Sequence, residues 1–458
     1  MVEVLPIETP ALGDRSYLVH DGETALVIDP QRDIDRVIAL ADGAGVRVTH
    51  VAETHMHNDY VTGGFALARA AGAAYLVNAD DPVSFDRTPV SDGDLVEIGG
   101  MRLRALATPG HTYSHLAYVV EAGDGAAGGE IAGVFTGGSL LYGSTGRTDL
   151  LGPDATAALT RAQWASARRL ARELPDTARI FPTHGFGSFC SATQSEAASS
   201  TIGHEKLVNP VLTLDEGSYV ESLLAGLDAW PAYYAHMAPV NLAGPAGPDL
   251  SPPRPADAAE LRRRIEAGEW VVDLRDRIAF AAGHVPGTFS FPLDNRFATY
   301  LGWMIPWGTP LTLLGDSPEQ VARAQRELAR IGIDRPAAAA TGRPEIWAGE
   351  RGVASLRLAK FGDLAAALAA GNGGPAVLDV RRRLEWEAEH IAGAVHIPLH
   401  ELPGRAAELP PGEVWVHCES GYRSVLAASI LAARGQRVVS VDDDFASAAP
   451  AGLTLEQA

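Results

Sequence analysis

Apolar and polar residues alternate over residues 46–51, the two-residue period of a half-buried strand. The pattern stops at Glu53-Thr54-His55-Met56-His57-Asn58-Asp59-Tyr60-Val61-Thr62-Gly63-Gly64, which reads as a loop, and residues 63–71 then take a helical period. Upstream, residues 14–20 and 24–30 predict two strands around Asp21-Gly22-Glu23. Residues 33–44 place Ile34, Val37, Ile38 and Ala41 on one helical face. Downstream, residues 102–106, 116–120, 134–136 and 179–181 predict strands, and 157–174 predict one long helix. Strands and helices alternating in two such halves fit an αββα sandwich.

Past residue 231 the composition changes. Residues 1–241 form the first predicted domain, closing with a connecting helix, and 242–257 is an aperiodic Gly/Pro-rich linker. Beyond it the sequence repeats at an offset of 106 residues. Val271-Val272-Asp273-Leu274-Arg275 recurs as Val377-Leu378-Asp379-Val380-Arg381, and Gly283-His284-Val285-Pro286-Gly287 as Glu389-His390-Ile391-Ala392-Gly393. Two α/β domains follow, residues 258–352 and 356–458. His284 and His390 read as turn-stabilising residues rather than ligands.

Charge narrows the partners. Lys+Arg number 37 against 57 Asp+Glu, a net charge of −20 that disfavours nucleic acid and anionic membranes. No run of apolar residues is long enough to span a bilayer, and the N-terminus lacks the basic and apolar regions of a signal peptide. Only Cys190 and Cys418 are present, which is no disulfide framework and suits a reducing cytoplasm. Assembly of like subunits stays open.

Imidazoles and a carboxylate packed as His55, His57 and Asp59 are, at a strand end, suit a first-row transition metal. Two more histidines stand on Gly-flanked turns after apolar strands, His111 in Thr108-Pro109-Gly110-His111-Thr112 and His184 in Phe181-Pro182-Thr183-His184-Gly185. The order T-H-x-H-x-D, P-G-H-T, P-x-H-G resembles the metallo-β-lactamase superfamily over roughly the first 210 residues. The resemblance implies that superfamily's αββα sandwich, with the metal along one edge.

Two departures stand out. The superfamily usually has a histidine where this chain has Tyr60, which implies one metal ion rather than two. Mononuclear members similar to this chain include the persulfide dioxygenases, which bind iron and oxidise glutathione persulfide to sulfite. The Val61-Thr62-Gly63-Gly64 tail and Gly146-Arg147-Thr148-Asp149 also resemble that family. Its members read F-T-G-D where this chain has Phe135-Thr136-Gly137-Gly138, so a carboxylate ligand is missing. His55, His57 and His111 are then expected to hold the ion, Fe(II) favoured and Zn(II) the alternative, with Asp59 and His184 in reserve. Asp59 is either the anionic ligand or a structural carboxylate bonding loop amides. Restoring the lost carboxylate as Gly138→Asp is expected to tighten metal binding. Arg147 is either a contact for a carboxylate of a glutathione-like substrate or a surface residue. His115 reads as a residue behind the site, and Cys190 as packed rather than reactive.

The second repeat carries different chemistry. Residues 414–417 predict a strand, Cys418-Glu419-Ser420-Gly421-Tyr422-Arg423-Ser424 a loop, and 425–433 a helix closed by Gly435. A thiol at a strand end facing a helix N-terminus meets backbone N–H groups and the positive end of the dipole, which favour thiolate. Gly421 permits the tight loop and Arg423 closes it with a fixed charge. Both repeats resemble rhodanese domains, and C-x-x-G-x-R-S resembles the loop in which their cysteine carries sulfur as a persulfide. The resemblance makes Cys418 and Arg423 catalytic, with Gly421 and Ser424 at the substrate. In the first repeat the equivalent stretch is Leu311-Thr312-Leu313-Leu314-Gly315-Asp316-Ser317-Pro318-Glu319-Gln320, without a cysteine. Ser317 reads there as a helix N-cap, with Pro318 first in the helix and Gln320 completing a capping box.

Three functions remain open. One is a metal-dependent persulfide dioxygenase fused to a sulfurtransferase acting on persulfide or thiosulfate. Another is a metal-dependent hydrolase of thioesters or lactones with an appended sulfurtransferase. The third is a degenerate scaffold in which only Cys418 works.

Overall fold

The structure, a computed structural model, describes residues 2–123, 129–370 and 374–457. The chain divides into a first unit, Met1–Asp249 with Ala329–Gly332, and a second, Leu250–Leu328 with Ile333–Ala458.

Two six-stranded sheets make the first unit. One runs in chain order through β1 (Glu3–Thr9), β2 (Asp14–His20), β3 (Thr24–Ile28), β4 (Arg47–Ala52), β5 (Ala74–Asn78) and β6 (Thr88–Val90). The other is formed by β7 (Leu95–Ile98), β8 (Met101–Ala107), β9 (Leu116–Ala122), β10 (Glu130–Gly137), β11 (Arg179–Pro182) and β12 (Ser200–Thr201). Tyr17, Leu26, Ile28, Leu103, Tyr118, Phe135 and Phe181 fill the space between the sheets. The Phe135 and Phe181 rings stack with centroids 5.1 Å apart, and Tyr17 meets both edge-on. The outer faces are covered too. Helices α1 (Asp35–Ala44) and α2 (Gly64–Ala71) bury Val37 and Leu67 against Val27, Val51 and Val77. Helix α3 (Pro153–Glu173) buries Ala167 and Leu170 against Val119 and Val134. Coverage on both faces is why β3 and β5 are almost continuously apolar instead of alternating. The arrangement is an αββα sandwich.

The structure moves some boundaries. Helix α1 starts at Asp35, and Ile38 is 38% exposed although it shares the predicted apolar face. Helix α3 starts at Pro153, because a proline after Gly152 fits the first helical position, where no N–H is needed. Strands β1, β5, β6 and β7 had no clear period in the sequence.

In the second unit, each repeat forms a mainly parallel sheet. Strands Trp270–Asp273, Phe289–Ser290, Leu311–Gly315 and Ala338–Thr341 make one, with Trp270–Asp273 between the next two. Arg357–Ala359, Ala376–Asp379, Val395–His396, Glu413–His417 and Arg437–Val441 make the other. The duplication persists at atomic detail. Arg275 Nη2 donates to Asp273 Oδ2 at 2.6 Å and to the Gly283 carbonyl at 2.7 Å, and Arg381 makes both bonds, at 2.7 Å, to Asp379 Oδ2 and the Glu389 carbonyl. His284 stacks on Phe280 and His390 on Trp386, each with Nδ1–H donated to that ring's own carbonyl at 3.0 Å. Both histidines serve the turns.

Candidate metal centre and cysteine loop

The ends of β4, β8 and β11 bring His55, His57, Asp59, His111 and His184 together, and all five are buried. One nitrogen each of His55, His57 and His184 lie within 4.8 Å of one another. The His111 ring centroid is 4.8 Å from that of His55 and 5.1 Å from that of His184. His184 thus sits among the histidines rather than in reserve behind them.

Each ring is oriented by a partner on its far side. Thr54 Oγ1 donates to Asp29 Oδ2 at 2.7 Å, so at 2.9 Å it accepts from His55 Nδ1–H and leaves Nε2 free. His111 Nδ1–H donates to the Arg147 carbonyl at 2.7 Å. His57 stacks on Tyr60, and its Nε2 lies 2.9 Å from the Tyr60 hydroxyl, 3.2 Å from Glu53 Oε2 and 3.3 Å from Asp29 Oδ1. His184 Nδ1 is 2.9 Å from Asp14 Oδ1 and 3.2 Å from Asp59 Oδ2. What remains is His55 Nε2, His57 Nδ1, His111 Nε2, His184 Nε2 and both oxygens of Asp59, all buried without a hydrogen-bond partner. Such a donor set, with far nitrogens held by carboxylates, carbonyls and hydroxyls, fits a transition metal.

Electrostatics sort the rings. Burial pushes His55 well below its ordinary pKa and His111 down to about 3, with neighbouring imidazolium charge adding to both. Burial acts against charge on His57 and His184 as well, but Asp29 and Glu53 hold His57 up at about 10, and Asp59 and Asp14 hold His184 up at about 9. Burial, then the charge of Asp59, raises Asp14 to about 8. Metal entry would therefore release protons.

Asp14, Asp29 and Glu53 escaped the sequence reading. Asp29 bonds the backbone N–H and hydroxyl of Thr54, and also accepts from Thr183 Oγ1, with its own φ at 51°. A lone aspartate ending an apolar strand before a proline was the available signal. His115 lies behind the site, its Nε2 accepting from Gly138 N–H at 2.9 Å and its ring stacked on His55. Cys190 is packed, yet its sulfur lies within 4.8 Å of a nitrogen of His111 and of His184.

Arg147 is corrected in both its readings. It is buried, and its guanidinium is engaged with Asp149 and with the carbonyls of Phe189 and Asp228, so it presents no free fork to a substrate. Its use to the centre is through the carbonyl that fixes His111.

Cys418 follows strand Glu413–His417 and precedes helix Tyr422–Ala433, which starts three residues before the predicted point. Gly421 is the N-cap with φ 85°, and a Cβ there would lie 2.1 Å from Asp442 Oδ1. Only glycine fits on both counts. Arg423 is paired with Glu385 through bonds of 2.6 and 2.5 Å. Ser424 Oγ is turned inward, bonding the carbonyls of Gly421 and Val441, so it braces the loop instead of facing a substrate. Tyr422 lies under Arg296 of the first repeat, 3.6 Å from guanidinium carbon to ring centroid. In that repeat Ser317 Oγ accepts from Gln320 N–H at 3.3 Å, and Gln320 Oε1 accepts from Asp316 N–H at 2.7 Å, a capped helix start.

Comparison with known proteins finds two family matches along the chain. Residues 11–184 match the metallo-beta-lactamase superfamily and residues 362–448 a rhodanese-like domain. The hydroxyacylglutathione hydrolase of Rhodopseudomonas palustris is 31% identical over 245 residues, 46% of this chain and 88% of that protein. Two further hydroxyacylglutathione hydrolases are matched over about half their length, 55% and 49%. The mitochondrial persulfide dioxygenase ETHE1 of Homo sapiens is 28% identical over 210 residues, 45% of this chain and 74% of that protein. A crystal structure of a metallo-beta-lactamase from Staphylococcus aureus superposes with a TM-score of 0.66 at 28% identity, covering 75% of this chain and 99% of the other. Among the described residues, no helix is long and apolar enough to cross a membrane.

Proposed function

Because the chain belongs to the metallo-beta-lactamase superfamily, we propose that it is a persulfide-oxidising enzyme with a metal centre in its first unit and a sulfur-transferring Cys418 in its second. The observation that carries this reading is the set of four buried imidazole nitrogens with no partner. A buried polar atom left unpaired costs ~1–3 kcal/mol, so four together favour a common acceptor of their lone pairs. His55, His57 and His111 would hold one ion, Fe(II) ahead of Zn(II), while Asp59 and His184 stand beside it. When bound, Fe(II) would supply the redox chemistry by which a persulfide, dioxygen and water become a thiol, sulfite and two protons. The chain's own part is placement. The Arg147 carbonyl fixes the His111 tautomer, and Asp29, Glu53 and Tyr60 hold His57 with Nδ1 forward. In the second unit, the Cys418 thiolate would attack the outer sulfur of thiosulfate or of a persulfide such as glutathione persulfide. The S–S bond breaks, sulfite or thiol leaves with the electron pair, and Cys418 keeps the sulfur as a persulfide. A sulfur carrier in the same chain as a persulfide-oxidising centre makes chemical sense.

The hydroxyacylglutathione hydrolases among the relatives favour a second reading, hydrolysis of a glutathione thioester at the same centre. One experiment separates the two: oxygen uptake with glutathione persulfide by protein loaded anaerobically with Fe(II), beside thioester hydrolysis by the Zn(II) form. Oxygen uptake above the metal-stripped control is the expected result. Hydrolysis without uptake would replace the oxidative reading, and neither activity would leave the first unit a scaffold.

A further inference from the structure

We propose that Asn241, on the helix Tyr234–Leu242, is a positioning residue of the metal centre. The inference rests on the reading that the first unit holds metal. It goes beyond that reading because residue 241 lies outside the matched residues 11–184 and outside every histidine motif. The sequence marks this helix only as a connection.

Asn241 is fully buried, and its side-chain amide is spent on one loop. Its Nδ2 donates to the carbonyls of His57 and Tyr60, both at 2.9 Å, and its Oδ1 accepts from Thr62 N–H, also at 2.9 Å. Both donors and one acceptor position are thus committed to residues 57–62, the stretch that carries His57 and Asp59. Turning the amide over would set N–H against N–H and oxygen against two carbonyls, so the loop fixes its orientation. Neighbouring donors go elsewhere: Val61 N–H to the Arg330 carbonyl at 2.7 Å and Gly63 N–H to the Pro30 carbonyl at 2.8 Å.

The loop needs such a partner. Residues 57–62 are all buried and belong to no helix or strand, so their backbone groups find no regular ladder. Buried backbone groups are nevertheless paired in folded proteins, and one side-chain amide supplies three of the bonds here. Two of the three bear on His57. Its own carbonyl is held directly, and the Tyr60 carbonyl fixes the residue whose ring stacks on the imidazole and whose hydroxyl lies 2.9 Å from Nε2. His57 Nδ1 therefore points forward only as far as this loop stays in place. The mount is firm. Tyr234, Met237 and Asn241 are the buried residues of the helix, at i, i+3 and i+7. The Leu242 carbonyl accepts from Ser84 N–H at 2.9 Å, and Leu242 packs with Phe65 and Phe85 against the core of Leu67 and Val77.

The competing explanation is that Asn241 only helps the helix to pack, with no bearing on the ligands. Two variants of the full chain separate the two. Asn241→Asp keeps the shape and the acceptor for Thr62 N–H, but sets a carboxylate oxygen against the carbonyls of His57 and Tyr60. Met237→Ala loosens the same buried face and leaves all three bonds in place. The probe is Co(II) on chelator-stripped protein, read by its visible absorption bands, which report ligand geometry, and by competitive titration. Asn241→Asp should alter the bands and weaken Co(II) affinity by about 10–100-fold. Met237→Ala should lower the melting temperature and keep the wild-type bands and affinity. A third measurement needs no variant to fold: in wild type, adding Zn(II) should slow hydrogen exchange over residues 234–242 together with 53–62. Wild-type bands and affinity in Asn241→Asp would overturn the inference and leave the proposed function intact, as would exchange over 234–242 that does not respond to the metal. An equal loss of affinity in Met237→Ala would also overturn it, since loosening of the helix would then suffice. No Co(II) or Zn(II) on wild type would remove the metal centre and this role together.

Discussion

A Cβ on residue 138 would lie 2.4 Å from His111 Cδ2, so the glycine that replaces a carboxylate is also a spacer for the imidazole. Gly146 presses on the opposite edge, where a Cβ would come within 2.6 Å of His111 Nδ1. Sequence logic expects Gly138→Asp to restore charge and tighten metal binding. The packing predicts the reverse: any side chain at 138 displaces the ring before a carboxylate can help. Gly138→Asp and Gly138→Ala should both lower metal content at unchanged His55 and His57. A Gly138→Asp protein that binds metal more tightly than wild type would show that the loop can yield.

The imidazoles should be individually indispensable. His55→Ala, His57→Ala and His111→Ala are each expected to lose most of the bound metal, because a three-histidine site leaves no donor to spare. Asp29→Asn, which touches the centre through His57, Thr54 and Thr183, should weaken affinity by about 10–100-fold. Equilibrium metal titration distinguishes the graded loss from the complete one.

Sulfur transfer should reside wholly in Cys418. Cys418→Ser is expected to abolish transfer from thiosulfate while metal content stays at the wild-type value. Transfer surviving in that variant would shift suspicion to Cys190.

The Arg423–Glu385 pair gives a pH signature. Burial resists charge on Glu385, but its bonds to Arg423 outweigh that and hold its pKa down at about 2. A depressed carboxyl stabilises the fold above its unfolded pKa near 4.5 and loses that contribution as pH falls toward 2. The difference corresponds to ~1–2 kcal/mol after solvent screening of a partly exposed pair. Glu385→Gln should remove this slope between about pH 4.5 and 2, read as melting temperature against pH. Parallel curves for variant and wild type would disprove the linkage.

The first repeat should matter for stability and not for turnover. Ser317→Ala removes the acceptor for Gln320 N–H and should cost ~1 kcal/mol in denaturant unfolding. The rate of sulfur transfer should not change.

Much of this architecture was legible in the sequence, for physical reasons that differ by element. The loops of His55, His111 and His184 could be read because each combines a strand period with turn residues and an uncommon side chain. The repeat could be read because buried Asp–Arg braces keep their spacing. Strands β5 and β7 were illegible, being short and either wholly apolar or half exposed. Asp14 was illegible for another reason: its neighbour His184 is 170 residues away, and no local pattern encodes that meeting. Arg147 misled because a motif arginine suggests a ligand, whereas burial had already committed its guanidinium to Asp149.

The braces Asp273–Arg275 and Asp379–Arg381 are alike although only one module has a thiol. A gene duplication can therefore shed its chemistry and remain foldable, since frame and reagent are encoded in separate stretches of each copy. The segment from Gly315 to Gln320 is where the two copies part in chemistry, and laboratory selection for a second sulfur carrier would begin there. Changes at Asp273 or Arg275 would break a buried ion pair of the frame, whatever chemistry the module carries.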